Sequence, residues 1–167
     1  NIVVGAMERL GLTYPVISQW NPRIIMISST GCGETGPWNW YRGYGNSFEA
    51  LFGHATVMGY PDMGPDGSPG GVASDATTGV TIALAAMMAL NQREKTGKGM
   101  YIDIALAENF LPHLGELFMD YTINGRVASS HGNRDHLGLM VQGAYPCTGD
   151  DEWIAISIRR IEQWHSL

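Results

Sequence analysis

The pattern of apolar positions in the first 110 residues predicts two β-strands with a long helix between them. Residues 23–30 (RIIMISST) form a continuous, β-branched apolar run, which is typical of a buried parallel strand. Residues 100–106 (MYIDIAL) alternate enough to predict a second strand. The segment between them, capped by Ser74 and Asp75 and ending near Glu94, is apolar on nearly all sides and is predicted to be a buried helix. This order predicts an α/β layer with a right-handed crossover.

Shorter elements are predicted on either side of this unit. Helices are expected at residues 4–12, 14–20, 47–60 (with Phe48, Leu51 and Phe52 facing inward) and 108–123 (with a kink near Pro112), and from Arg159 to the end. Residues 31–37 and 61–71 are predicted to be glycine-rich loops. The polar segment 126–136 after Gly125 is typical of a linker, and residues 139–158 predict two strands joined by a turn at 148–151.

Composition narrows the class of protein. The 167 residues are 44% hydrophobic, which is enough for a substantial core, and the formal net charge is −6. Ten scattered basic residues, outnumbered by sixteen acidic ones, argue against an extended nucleic-acid surface. No run of about 18 apolar residues is present, so no membrane span is expected. Two cysteines favour a reducing compartment, and we expect a cytoplasmic protein.

The ends of the sequence suggest a piece of a longer protein. The chain begins without Met, in an apolar run, and stops inside a predicted helix. We therefore expect that part of any active site could lie outside these residues.

Two familiar kinds of site receive little support. Gly31–Gly36 follows a predicted strand and matches the GxGxxG pattern, but Pro37 and two tryptophans come next where a dinucleotide-binding fold needs a helix. No acidic residue follows at the required distance either, so NAD binding is not expected. The histidines and cysteines lack HxxxH or CxxC spacing, so no metal site is predicted.

Asp75 is the strongest candidate for chemistry, and its residue context leaves two interpretations open. A carboxylate at a helix N-terminus is stabilised by roughly 0.3–1 kcal/mol in its ionised form, and it could act as a nucleophile toward an acyl group. The same position suits a simple helix cap. Separately, two of the three cations Arg9, Arg42 and Lys98 could contact phosphates if the fold brings them together.

The order and spacing of several motifs resemble those of one family. Five segments follow one another along the chain: NPRIIMISSTGCGETGP, then RGYGNSFEAL, then a loop that contains PDG, then SDATTG, and finally LNQREKTGKGMYIDIAL. Together these segments closely resemble the family III CoA-transferases, also called the CaiB/BaiF family. The resemblance runs in order through nearly the whole chain, to about Ile158.

The resemblance implies a fold and an assembly. Residues 1–125 would be part of a large Rossmann-like α/β domain, residues 126–138 a linker, and residues 139–167 the start of a smaller α+β domain. Two chains of this family form an interlocked homodimer. The partners it implies are an acyl-CoA and a carboxylic acid, with coenzyme A as part of the substrate and neither a metal nor NAD.

The resemblance also assigns roles to residues. Asp75 falls on the family's catalytic aspartate, which would form a mixed anhydride with the acyl group and then a thioester with CoA. Asn1, Arg9, Arg42 and Tyr44 fall where the family contacts CoA.

Two other functions stay open at this stage. The related acyl-CoA racemases carry a histidine base in a Gly-His-Asp motif, where this chain has Gly43-Tyr44-Gly45. A non-catalytic fragment that only dimerises or binds acyl-CoA would need no nucleophile at all. The glycine run of formyl-CoA transferases is also missing from residues 132–143, which makes the formyl and oxalyl substrate pair doubtful.

Overall fold

A computed structural model describes residues 1–67, 71–135 and 141–167. They form two units, one of Asn1–His54 with Gly70–Arg126 and the other of Ala55–Pro69 with Val127–Leu167. The elements, in chain order, are α1 (Ala6–Arg9), α2 (Tyr14–Trp20), β1 (Ile25–Thr30), α3 (Gly45–Leu51), α4 (His54–Val57), a 3₁₀ turn (Pro65–Gly67), α5 (Ala73–Thr96), β2 (Met100–Ala105), α6 (Leu106–Phe110), a second 3₁₀ turn (Leu111–Leu114), α7 (Gly115–Asn124), β3 (Val141–Pro146), β4 (Trp153–Ile158) and α8 (Ile161–Ser166).

The first unit is built on the parallel pair of β1 and β2. Ile25 lies opposite Met100, and Thr30 lies opposite Ala105. The predicted order of strand, long helix and parallel strand is confirmed, so the chain is α/β in class. The core lies where α3, α5 and α6 pack on each other, where α5 packs on both strands and where α6 packs on β2. Its buried apolar side chains are Phe48, Ala89, Ile104, Ala105, Ala107, Phe110 and Leu114.

The helix α5 is not buried as its composition predicted. The side chains of Val80, Leu84 and Met87 are 59–71% exposed, although α3, α6 and both strands pack against the helix. The physical reason is that a two-stranded sheet with two short helices covers one side of a 24-residue helix and leaves the other side open.

Two predicted helices are interrupted. The helix expected at residues 47–60 divides into α3 and α4 around Gly53, which has a positive φ of 84°. Phe48 is buried as expected, but Leu51 is exposed. The helix expected at 108–123 becomes α6, the second 3₁₀ turn and α7, because Pro112 has no N–H to donate and its ring crowds the preceding turn.

The second unit contains an antiparallel hairpin of β3 and β4. Val141 lies opposite Ile158, and the turn between the strands includes Asp151 with a positive φ of 55°. Both strands and the turn agree with the sequence prediction. Residues 136–140, which include the end of the predicted linker and the start of the predicted small domain, lie outside the described residues.

Of the helices in the described part of the chain, α5 alone is long and apolar enough to cross a membrane. Its mean hydropathy reaches 1.3 over an 18-residue window. Length and composition of a single helix are weak evidence, so the absence of a membrane span stays a prediction.

We expect Gly99→Ala to destabilise the first unit. A Cβ at this position would lie 1.7 Å from the carbonyl oxygen of Ile24, and a backbone atom directly before β1 cannot move aside as a side-chain tip could. The expected loss in the free energy of unfolding is roughly 1–3 kcal/mol, measured by urea denaturation. Gly115→Ala is the matched control, because nothing lies within 4 Å of its Cβ position. Equal stability of the two variants would contradict this account of Gly99.

Candidate active site

Asp75 lies on the first turn of α5 with an exposed side chain. It is the third residue of the helix and Ser74 is the second, so the prediction that these two residues cap the helix is wrong. The N-cap residue is Val72, which has no side-chain hydrogen bond to the helix. The Asp75 carboxylate therefore does not serve as the N-cap of its own helix.

The carboxylate of Asp75 lies against Gly45, the first residue of α3. A Cβ on Gly45 would be 2.4 Å from Oδ2 of Asp75 and 3.0 Å from the hydroxyl oxygen of Ser74. Only a residue without a side chain leaves the carboxylate in this place. The structure thus brings the RGYG segment and the SDATTG segment together, as a site built from both would require.

A second carboxylate, that of Glu49, is buried beside the first turn of α5. Its side chain accepts a hydrogen bond from the backbone N–H of Ser74 at 2.9 Å through Oε1. Its other oxygen, Oε2, lies 2.9 Å from Nδ1 of His54. The His54 ring in turn meets the ring of Phe110 edge-on, with centroids 5.0 Å apart. Glu49 therefore connects α3, α4 and α5 through one side chain.

The surroundings of Glu49 favour its charged form. Burial acts to raise the pKa of this carboxyl, but hydrogen bonds from the Ser74 N–H and from His54 outweigh it, and the net pKa is lowered. The buried side chain is therefore a carboxylate with both oxygens engaged, which is the condition under which a buried charge is tolerated.

An open cleft of about 410 Å³ adjoins this region within the first unit. Its lining includes Asn1, Thr30, Arg42, Gly43 and Phe48. Gly43 and Phe48 lie on either side of Gly45 in sequence, so the start of α3 forms part of the cleft and also contacts Asp75. The cleft is large enough for one segment of an elongated ligand.

The other predicted binding residues are only partly brought together. Asn1 and Arg42 share the cleft, and Arg42 has no ion-pair partner in the ranges that the structure describes. Arg9 ends α1 and does not line the cleft. Tyr44 is the N-cap residue of α3, is 84% exposed and is also outside the lining.

The glycine-rich loop 31–36 is attached to the strand pair. Asp103 of β2 accepts the backbone N–H of Glu34 at 2.9 Å, and the Gly31 carbonyl accepts the N–H of Ala107. Ser28 of β1 donates a hydrogen bond to the Glu34 carboxylate at 2.5 Å. Turns follow the loop at residues 37–40. The loop therefore does not lead into a helix whose N-terminus could bind a phosphate.

Metal ligands do not cluster in the ranges that the structure describes. There, no three His, Cys, Asp or Glu side chains lie close enough to hold one ion.

Sequence reasoning missed Glu49 and gave Gly45 no role. A signal for Glu49 was available, because it is an acidic residue between the inward-facing Phe48 and the apolar residues Ala50 and Leu51. No signal within α5 could have shown that a residue 25 positions earlier binds its first turn.

Comparisons with known proteins agree with one another. A family model described as CoA-transferase family III matches residues 1–167. A probable CoA-transferase of Mycobacterium tuberculosis is 35% identical over 98% of this chain and 21% of its own length. The beta subunit of the succinyl-CoA–L-malate CoA-transferase of Chloroflexus aurantiacus is 35% identical over 94% of this chain and 38% of its own length.

A solved structure gives the same result. The crystal structure of a CaiB/BaiF family protein from Brucella suis superposes with a TM-score of 0.89 and is 29% identical, covering 99% of this chain and 43% of that one. The chain thus spans roughly a fifth to two fifths of the length of the proteins that it matches here.

We expect Tyr101 to titrate abnormally because it lies beside the loop 31–36. Burial, followed by the hydrogen bond to the Glu34 carboxylate, raises its pKa from 10 to about 12. The folded chain holds this proton more tightly than the unfolded chain does. The stability that it contributes is therefore fully present below pH 10 and is lost as the pH rises toward 12.

The measurement is alkaline titration of phenolate absorbance, together with urea unfolding at each pH. The difference between wild type and Tyr101→Phe should show a group that ionises near pH 12. Ionisation of Tyr101 near pH 10 would contradict the described contacts.

Proposed function

Because the chain belongs to CoA-transferase family III, we propose that the protein transfers coenzyme A from an acyl-CoA thioester to a free carboxylic acid. Asp75 is the nucleophile in this proposal. The observation that carries it is the exposed Asp75 carboxylate, which lies directly against Gly45, between the cleft-lining residues Gly43 and Phe48 in sequence.

The reaction proceeds by acyl exchanges on one side chain. The Asp75 carboxylate attacks the thioester carbonyl and expels CoA thiolate, which leaves a mixed anhydride. The thiolate then attacks the aspartyl carbonyl, so the donor acid departs and Asp75 carries CoA as a thioester. The acceptor carboxylate attacks this thioester and expels the thiolate again. The thiolate finally attacks the acceptor's acyl carbonyl, which yields the new acyl-CoA and restores Asp75.

The geometry supports this chemistry over proton exchange at an α-carbon. Tyr44 stands where the racemase motif has its histidine, and Nδ1 of His54 is already engaged by Glu49. A carboxylate nucleophile needs access and an anionic form more than it needs a partner base, and Asp75 is open to solvent.

Coenzyme A is the proposed ligand of the cleft. Arg42 can donate paired hydrogen bonds to a phosphate, and Asn1 lies in the same cleft. Arg9 and Tyr44 are proposed to contact CoA from outside the cleft lining. The Chloroflexus relative is named for succinyl-CoA and L-malate, which are thioester and acid of the proposed kinds.

The assembly and location are also proposals. A homodimer is supported by the exposed apolar side of α5, which includes Val80, Leu84 and Met87. Burying these side chains against a second chain would be favourable. The free thiols of Cys32 and Cys147 favour the cytoplasm. The division into a large domain at 1–125, a linker at 126–138 and a small domain from 139 stays a prediction.

Replacing the nucleophile tests the proposal directly. Asp75→Asn in the full-length enzyme should lower turnover at least about 1,000-fold, because an amide cannot form the anhydride. Wild type incubated with a panel of acyl-CoAs and then hydroxylamine should carry a hydroxamate at residue 75, detected by peptide mass spectrometry. Glu94→Gln, an exposed carboxylate at the far end of α5, is the control. Wild-type turnover in Asp75→Asn would refute the mechanism.

Charge removal near the cleft tests CoA binding. Arg42→Gln should raise KM for acyl-CoA about tenfold with little change in kcat, because the lost phosphate contact exists in both ground and transition states. Arg9→Gln should raise KM less, since Arg9 does not line the cleft. Arg159→Gln, an exposed arginine of the second unit, should leave KM unchanged. An unchanged KM in Arg42→Gln would remove this residue from the binding site.

A further inference from the structure

The proposed reaction uses Asp75 but leaves the neighbouring buried carboxylate of Glu49 without a role. Glu49 is 5% exposed, and it lies on α3 while Asp75 lies on α5. A buried charge costs several kcal/mol unless it is well paired. The arrangement around Glu49 therefore needs an explanation that simple packing does not supply, because an apolar side chain would fill the same space without that cost.

The first part of the explanation is the N-terminus of α5. The first N–H groups of a helix have no partners within the helix and need acceptors from elsewhere. Val72, at the N-cap position, provides no side-chain acceptor. The Ser74 N–H is instead bound by Oε1 of Glu49 at 2.9 Å. Glu49 thus supplies from another helix the capping contact that α5 lacks in its own sequence.

The second part is the spacing of residues on α3. Gly45 and Glu49 are four positions apart and so lie on the same face of this helix. Gly45 contacts the Asp75 carboxylate, and Glu49 binds the N–H of the residue just before Asp75. One face of α3 therefore meets the turn that carries Asp75 at two successive residues.

The third part is the contact that orients Glu49 itself. Nδ1 of His54 lies 2.9 Å from Oε2 of Glu49, and its ring is placed by its edge-on contact with Phe110. Phe110 is 4% exposed and belongs to the core of the first unit. With Oε2 engaged by His54, Oε1 is directed at the Ser74 N–H.

We propose that Glu49 is a positioning residue for the Asp75 nucleophile: its carboxylate, oriented by His54, binds the Ser74 N–H and sets the position of the Asp75 turn against Gly45. This inference rests on the proposed function, because it assumes that Asp75 attacks the thioester. It predicts that the chemical step depends on Glu49 although Glu49 does not touch the substrate.

The test compares four variants of the full-length enzyme. Glu49→Gln keeps the shape but loses the charge and places an N–H₂ group beside either Nδ1 of His54 or the Ser74 N–H. His54→Phe keeps the ring against Phe110 and removes the donor to Glu49. His54→Asn restores a donor near the position of Nδ1. Glu116→Gln, an exposed acid on α7, is the control and should behave as wild type.

The readouts separate positioning from general stability. We expect Glu49→Gln and His54→Phe to lower kcat at least tenfold with KM for acyl-CoA within twofold, and to slow hydroxamate formation at residue 75 equally. We expect His54→Asn to recover at least fivefold of the kcat lost in His54→Phe. Melting temperatures taken alongside identify any variant that has unfolded.

Several results would overturn the inference. Wild-type kcat in Glu49→Gln would do so, as would a change confined to KM. If Glu49→Gln does not fold, the comparison of His54→Phe with His54→Asn decides, and equal kcat in these two variants overturns the role of the Glu49–His54 contact. Failure of the proposed function looks different, because wild type itself would then form no hydroxamate at Asp75.

Discussion

The parallel pairing of β1 with β2 is the constraint on which the rest of the first unit depends. Parallel strands cannot be joined by a tight turn, so the chain must leave the end of β1, form α3 and α5, and return to the start of β2. That return path places α5 against α3 and both strands. The meeting of α3 with the first turn of α5 follows from it, and the candidate nucleophile lies at that meeting point.

Two carboxylates, the exposed Asp103 and the buried Glu49, connect segments that are distant in sequence. Asp103 binds the N–H of Glu34, 69 positions away, and Glu49 binds the N–H of Ser74, 25 positions away. In both cases a side chain from a regular element satisfies a backbone donor of a turn that has no regular partner of its own. Charge-assisted hydrogen bonds thus hold both the glycine-rich loop and the first turn of α5 in place.

The sequence predicts the features that depend on neighbouring residues, but not those that depend on contacts between distant segments. Both strands, their order and the long helix follow from apolar periodicity, and the break at Pro112 follows from its missing N–H. The exposure of α5 could not be predicted, because composition shows which side chains are apolar but not which neighbours cover them. Similarly, Ser74 and Asp75 match a local capping pattern, but the cap comes from Glu49 on another helix. The contact between Gly45 and Asp75 could not be predicted for the same reason, because the two residues lie on different helices.

That contact has a consequence for how the chain can change over time. Any side chain at residue 45 would occupy the space that the Asp75 carboxylate now fills, so position 45 is closed to every substitution while the carboxylate stays there. A larger residue at this position would require the exposed Asp75 side chain to turn away from α3. The two positions are therefore expected to vary together.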